Sequence, residues 1–233
     1  MNVKYLLFLF LLPVVLSAQS QDSVRYSSIG FSIGNPHQIA YPTDNSQAYY
    51  LTNGPLFYTN SYTFAFSGQW YRPNRWGFGL DVGLRQYFAV FRESRGQALF
   101  GGKYRGDFQS RSGYIAPHLI YNRQLSEADV LNFSLGAEVH ASFGATAYQY
   151  EQGTFFLDPA SGFVLARLGI EYSRKLSHDF RGSFYLNLTQ GLDETATLSL
   201  AEDTGFEAEH LGSYWGTGFE FGVRVSVCWA CGE

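Results

Sequence analysis

The sequence predicts an all-β fold, and three observations on its 233 residues lead to that prediction. Apolar and polar residues alternate with a period of two in eight separate segments. The composition is rich in aromatic residues, at 18%, and only 15% of the residues are charged, whereas soluble domains carry about a quarter. After residue 18, no apolar stretch reaches the roughly 18 residues that a membrane-spanning helix needs. Together these features predict an eight-stranded antiparallel up-and-down transmembrane β-barrel.

The first segment of the chain has the pattern of a targeting sequence rather than of a strand. Lys4 precedes an apolar run that ends at Leu16, and Ala18 offers a small residue at a cleavage point. These are the features of a secretory signal peptide, and the run is short for a membrane anchor. We therefore predict a signal peptide over residues 1–18 and one barrel domain over residues 19–233.

The alternating segments that follow each give one apolar and one polar face, because successive strand side chains point to opposite sides. In the third segment, for example, Trp, Phe, Leu, Val and Leu alternate with Gly, Gly, Asp and Gly. Helical spacing does not fit this pattern. The predicted strands cover residues 28–33, 58–70, 76–84, 114–122, 131–143, 164–172, 183–189 and 215–229.

The composition of the polar faces indicates which face of the sheet looks outward. These faces hold Gly, Ser, Thr and Asn with few charges, whereas a soluble sandwich would present many Lys and Glu residues to water. Small polar residues suit a crowded interior, so the apolar faces are expected to contact lipid. Closure of the sheet is required, because an open edge cannot be satisfied in hydrocarbon. Pro117 lies in the fourth strand and predicts a bulge or local break there.

The connections between the segments alternate in length. Short gaps follow the second, fourth and sixth strands, at residues 72–75, 124–128 and 174–179. Long gaps, expected to be loops, follow the other strands at about residues 35–57, 92–107, 148–161 and 190–212. Short turns on one side and long loops on the other are typical of outer-membrane barrels of Gram-negative bacteria, and this topology puts both termini in the periplasm.

Aromatic residues stand at the segment ends, where the two membrane surfaces are expected. Amphipathic rings favour the interface between membrane and water. The predicted girdles are Trp70, Trp76, Tyr121 and Trp229 at the short-turn end, and Tyr58, Phe88 and Trp215 at the long-loop end.

With this pattern and topology, the chain resembles the small eight-stranded outer-membrane barrels of the OmpA and OmpX type, and the barrel domains common in Bacteroidota. The resemblance covers about residues 24–229 and includes no sequence signature. It implies a barrel embedded in outer-membrane lipid and lipopolysaccharide. It also implies an assembly signal at the final aromatic residue, Trp229, although four residues follow it.

The polar register of the strands predicts a balanced set of charges in the lumen. Arg pairs well with carboxylates through several hydrogen bonds at once, so we expect ion pairs that close the lumen. A narrow passage for small solutes is the alternative, although a selective pore would more often carry an excess of one sign. The predicted network consists of Asp81, Arg85, Glu138, Arg167, Glu171, Arg181, Glu220 and Arg224.

His140, Ser142 and Glu138 form a catalytic candidate, because residues two apart on a strand share a face. The motif is similar to the His-x-Ser of outer-membrane lipid A deacylases, in which an acid orients the His. The inward register opposes this hypothesis, because an acyl-chain substrate lies outside the barrel. We therefore expect no enzyme activity, with a deacylase-like hydrolase as the alternative.

The last long loop and the chain end hold the remaining candidates. Six acidic residues and no Lys or Arg occupy that loop, which fits simple solvation, a divalent cation or a basic partner. They are Asp193, Glu194, Glu202, Asp203, Glu207 and Glu209. Cys228 and Cys231 are expected to be an incidental pair or a local disulfide.

The function predicted from these features is that of a structural or surface-interaction barrel in the outer membrane. Its expected partners are outer-membrane lipid, lipopolysaccharide and an envelope or surface protein. No metal-ligand spacing or phosphate-binding loop is recognised, so no metal or cofactor is expected. The formal net charge of −4 gives no reason to expect nucleic acid.

Overall fold

The computed structural model describes residues 26–42, 49–52, 61–72, 75–93, 103–143, 146–150, 153–201 and 209–228. The predicted signal peptide, Tyr58 and Trp229 lie outside these ranges. None of the described residues belongs to a helix long and apolar enough to cross a membrane. The strands, in chain order, are β1 (Tyr26–Pro42), β2 (Tyr49–Thr52), β3 (Tyr62–Tyr71), β4 (Trp76–Glu93), β5 (Lys103–Gln124), β6 (Asp129–Phe143), β7 (Thr146–Tyr150), β8 (Gly153–Pro159), β9 (Gly162–Lys175), β10 (Phe180–Gly191), β11 (Ala196–Ala201) and β12 (Glu209–Cys228).

Eight of these strands form a closed antiparallel barrel. Their order around the wall is β1, β3, β4, β5, β6, β9, β10 and β12. Closure comes from pairing of the first and last strands, in a register that runs from Ser28 opposite Cys228 to Pro42 opposite Tyr214. The predicted eight-stranded all-β barrel is therefore confirmed.

Four shorter strands extend the wall at the long-loop end, where the sequence predicted loops. Beyond the end of β3, β2 pairs with both β1 and β4. On the other side β11 pairs with β12 and β8, and β8 pairs with β7. The expectation that these gaps are only loops is wrong. Strands β4, β5 and β12 extend beyond the ends of neighbouring strands. The backbone amide and carbonyl groups exposed there need hydrogen-bond partners, and the short strands provide them.

The short connections lie where the sequence predicts them, at the opposite end of the barrel. The turn after β5 is the best described. Its Ser126 hydroxyl donates to Asp129 Oδ2 (2.8 Å), and the Asp129 amide donates to Ser126 Oγ (3.0 Å). Tyr172 on β9 donates to Asp129 Oδ1 (2.6 Å). The two hydroxyls hold the pKa of the Asp129 carboxyl below its ordinary value.

Pro117 produces a local break rather than a bulge. It stays opposite Leu80 in the ladder between β4 and β5. On the β6 side, pairing runs to Ile115 opposite Val139 and resumes at His118 opposite Gly136, with the register unchanged. Pro has no amide hydrogen to donate, so the ladder skips Ala116 and Pro117 without a shift. The Ala116 carbonyl instead accepts a hydrogen bond from His118 Nδ1 (2.9 Å).

The two faces of the wall are reversed relative to those of a soluble protein. All eight barrel strands turn exposed large apolar side chains outward, among them Phe66 and Phe184, which are each 69% exposed. By contrast Asp81 is 2% exposed and Glu138 is fully buried in the interior. A continuous apolar outer surface around a polar interior is the arrangement of a membrane barrel.

Candidate functional site

The barrel lumen brings together the charged residues of the inward register. All eight residues of the predicted network are buried, with exposed fractions between 0% and 8%. Alternation along β4, β6, β9, β10 and β12 turns these side chains inward, between outward apolar neighbours. Arg181 lies at the start of β10, opposite Ser226 of β12.

Arg85 is the centre of the first group of ion pairs. Its Nη1 and Nη2 contact the two carboxylate oxygens of Glu138, the second at 3.2 Å. Nη2 also donates to Glu220 Oε2 (2.6 Å), and Nε donates to Thr63 Oγ1 (3.2 Å). The guanidinium carbon lies 4.7 Å from the ring centre of Tyr114, a distance at which a cation is attracted to the aromatic face.

Asp81 is the centre of the second group. Arg167 Nη1 donates to Asp81 Oδ2 (2.8 Å), and Arg224 Nη2 donates to Asp81 Oδ1 (3.2 Å). Arg224 Nη1 also donates to Glu171 Oε2. Gln69 Nε2 donates to that same oxygen (3.0 Å). This carboxylate therefore has one charged and one neutral donor.

A longer contact of 3.8 Å, from Arg167 Nη1 to Glu138 Oε1, joins the two groups. The result is one chain in which acids and arginines alternate. Three Arg and four carboxylates give it a formal charge of 3 − 4 = −1. Burying so many charges is costly unless each finds partners, and the pairing meets that requirement. In order, the chain is Glu220, Arg85, Glu138, Arg167, Asp81, Arg224 and Glu171.

Neutral residues that the sequence analysis did not single out complete the network. Tyr185 donates to Glu220 Oε1 (2.8 Å), and Thr63 donates to Glu220 Oε2 (2.9 Å). Gly222 leaves room for this arrangement, because a Cβ atom there would come within 2.5 Å of the Tyr185 hydroxyl and 2.3 Å of the Ile33 carbonyl. Tyr185 and Thr63 share the inward register with the charged residues, so strand parity was the signal that could have identified them.

His140 does not pair with Ser142 in the structure. Its Nδ1 accepts a hydrogen bond from Ser112 on the adjacent strand (2.9 Å), and its Nε2 donates to Glu138 Oε2 (3.0 Å). The Ser142 hydroxyl is buried and has no hydrogen-bond partner among the described residues. In the ladder between β5 and β6, Ser112 lies opposite Ser142 and Tyr114 lies opposite His140, so Ser112 reaches the imidazole diagonally across the two strands.

The surroundings of His140 are closed. Its ring stacks between Phe163 and Tyr114, at centroid distances of 4.5 and 5.3 Å. Ser112 and Glu138 are exposed by 1% and 0%. The Ser112–His140–Glu138 relay resembles a catalytic arrangement in its donors and acceptors, and Glu138 Oε2 also accepts a hydrogen bond from Arg85 Nη1.

Among the described residues, the lumen contains a cavity of about 10 Å³, which has room for about one water molecule. Its walls include Gln69, His118, Asn132, Arg167 and Arg224.

Three of the predicted girdle residues are described with their side chains, and all three lie at the short-turn end. Trp70, Trp76 and Tyr121 are exposed by 38%, 65% and 36%, and the rings of Trp76 and Tyr121 are 5.4 Å apart. Trp215 lies on β12 at the long-loop end, where its backbone is opposite that of Tyr41 in the ladder with β1.

The acidic cluster and the cysteines are described only in part. Asp193 is exposed and Glu194 is half-buried, while Glu209 begins β12; Glu202, Asp203 and Glu207 lie outside the described residues. No group of three potential metal-ligating side chains occurs within the described ranges. Cys228 is disulfide-bonded.

No protein-family model and no curated protein matches the chain. Among solved structures, the outer-membrane protein OprG from Pseudomonas aeruginosa is 9% identical, with a TM-score of 0.51, over 88% of this chain and 97% of its own. The protease OmpT from Escherichia coli is 8% identical, with a TM-score of 0.49, over 89% and 98%. Ail of Yersinia pestis, solved with the heparin analogue sucrose octasulfate, is 8% identical, with a TM-score of 0.43, over 87% and 99%. At 9% identity, the likeness to OprG is one of fold alone. The chain has the fold of the small outer-membrane β-barrels.

Proposed function

We propose that this protein is an integral outer-membrane barrel with a structural or surface-interaction role, a closed lumen and both termini in the periplasm. The fold of OprG and the apolar outer surface support the location. The three short turns, at the end opposite the extended wall, support the orientation.

The alternating chain of buried ion pairs is the observation that carries the proposal. A solute passage needs free cross-section, and a hydrolase needs a nucleophile that its substrate can reach. Here the inward carboxylates and guanidiniums bind one another across the lumen. Paired side chains therefore fill the interior, and the protein acts through its outer surfaces.

The extension of the wall supports a surface role. Strand β5 continues from Arg111, where the apolar belt ends, to Lys103, eight residues further. At about 3.4 Å per residue and a tilt of about 40°, this adds about 20 Å of wall beyond the hydrocarbon. This extension of the wall would present the connections at its end to an envelope or surface protein. Lipopolysaccharide would surround the extension where it leaves the membrane.

Conductance in planar lipid bilayers tests the closed lumen. The wild-type barrel is expected to give no stable channels. A double variant, Arg85→Ala with Glu138→Ala, removes one charge of each sign from the middle of the lumen and is expected to admit ions. Heat-dependent mobility on SDS gels would show that both proteins are folded barrels. Steady channels from the wild-type protein would contradict the proposal and favour a narrow passage for small solutes.

A further inference from the structure

The outward face of the wall changes from apolar to polar at one level near the long-loop end. On the outward register, apolar residues give way to polar ones on six strands. We call these residues the polar rim: Asn35, Tyr62, Gln86, Arg111, Gln190 and Thr217. Hydrogen bonds link some of them across strands, as from Thr217 Oγ1 to Gln190 Oε1 (2.7 Å).

The polar rim lies one membrane thickness from the opposite girdle. Gln86 is ten residues from Trp76 on β4, and Arg111 is ten residues from Tyr121 on β5. Ten residues of a strand tilted by about 40° rise about 25 Å, which matches the apolar band of an outer-membrane barrel. The rim therefore lies at the level of the lipid headgroups.

Arg111 is held in place within the rim by Gln86, which Tyr62 contacts in turn. Its Nε donates to Gln86 Oε1 (2.9 Å), and the Tyr62 hydroxyl donates to the same oxygen (2.9 Å). Gln86 is buried although its side chain lies on the outward register. The two Nη groups of Arg111 have no partner among the described residues, and no described carboxylate pairs with it.

The surroundings of Arg111 favour an anionic ligand at the membrane surface. Directly across the ladder on β6 is Phe143, which is 50% exposed. Ile115, four residues towards the membrane on the same strand and face, is 53% exposed. A guanidinium at the headgroup level can pair with the phosphates of the lipid, and its planar fork matches a phosphate.

We propose that Arg111, positioned by Gln86 and Tyr62, binds a phosphate on the headgroup of lipopolysaccharide in the outer leaflet. This inference rests on the proposed function, since it needs the long-loop end of the barrel to face outward. It goes further in naming the ligand group and the side chain that receives it.

The test is a binding titration of the full chain in mild detergent with diphosphoryl lipid A and with the same lipid after removal of its phosphates. Arg111→Gln is expected to weaken binding of diphosphoryl lipid A by about tenfold or more, as for a lost charge-assisted contact. Arg123→Gln is the matched control, because Arg123 is an exposed outward arginine at the opposite end of β5. It should bind like the wild type. The dephosphorylated lipid should bind wild type and Arg111→Gln equally.

A third variant examines the positioning. Gln86→Leu keeps the charge of Arg111 but removes the acceptor for its Nε, and it is expected to lose several-fold in affinity for diphosphoryl lipid A alone. Equal binding by wild type and Arg111→Gln would overturn the inference, as would equal losses in Arg111→Gln and Arg123→Gln. In either case, a barrel with heat-dependent gel mobility and no conductance would still support the proposed function. A helical circular dichroism spectrum would contradict both the proposed function and the inference about Arg111.

Discussion

Arg85 and Glu138 form a bidentate ion pair between strands that are not neighbours in the barrel wall. Arg85 lies on β4 and Glu138 on β6, with β5 between them. Both guanidinium Nη atoms meet the carboxylate, and both side chains are at most 2% exposed. The pair thus joins two parts of the wall through the lumen, in addition to the backbone ladders.

Replacing Arg85 is expected to destabilise the barrel strongly. Arg85→Ala leaves the Glu138 and Glu220 carboxylates buried with fewer charged partners, and loss of one partner of a buried pair costs about 3–5 kcal/mol. The free energy of unfolding, measured by urea titration in lipid vesicles, would report this loss. Arg174→Ala is the control, because the Arg174 side chain is 63% exposed, and exposed ion pairs contribute at most about 1 kcal/mol. Equal effects of the two substitutions would show that the lumen pairs do not stabilise the fold.

Two serines near His140 should respond differently to the same substitution. Ser112→Ala removes the hydroxyl bonded to His140 Nδ1 and is expected to cost about 1 kcal/mol of unfolding free energy. Ser142→Ala removes a buried hydroxyl without a described partner and should be neutral or slightly stabilising.

The same two variants address catalysis. Neither is expected to change the acyl pattern of lipid A exposed to the purified protein. A wild-type protein that removes acyl chains, with loss of that activity in either serine variant, would reverse the assignment of a structural role to the relay.

Much of the barrel could be predicted from the sequence, because period-two alternation directly reports which side of a strand is buried. That rule located Asp81 and Glu138 in the interior without any structure. It could not give their partners, since Arg167 and Asp81 are 86 residues apart in the chain and meet only when the sheet closes. Parity gives the face of each residue, whereas shear and closure determine which residues of a face meet across the lumen.

Neither the four short strands at the long-loop end nor the polar rim could be predicted from the sequence. Strand β2 is four residues long and gains its pairing from the edges of β1 and β4, so its own alternation carries almost no signal. Gln86 is a polar residue on an apolar face, and the sequence alone does not explain it. The structure does, because Tyr62 and Arg111 both donate hydrogen bonds to its side-chain oxygen.

Gly222 should not tolerate a side chain. Gly222→Ala would place Cβ 2.3 Å from the Ile33 carbonyl and 2.5 Å from the Tyr185 hydroxyl, and overpacking of this kind costs about 1–3 kcal/mol. Unfolding by urea in vesicles measures it. Gly113→Ala is the matched control, because the nearest atoms to its Cβ would be 3.9 Å away. If both variants unfold at the wild-type urea concentration, the contact between Gly222 and Tyr185 is not a tight one in the membrane.

Asp129 should make the barrel less stable in acid. The hydroxyls of Tyr172 and Ser126 lower the pKa of its carboxyl in the folded protein below the ordinary value of 3.8. The unfolded state therefore takes up the proton more readily, so the contribution of Asp129 to stability is present above about pH 4 and is lost as the pH falls through the folded pKa. Asp129→Asn removes this dependence. We expect the difference in unfolding free energy between wild type and Asp129→Asn to be constant from about pH 5 to 7 and to shrink towards pH 3. Asp179→Asn, in the turn after β9, is the control for general acid effects. A difference that stays constant down to pH 3 would show that the two hydrogen bonds do not favour the ionised carboxylate.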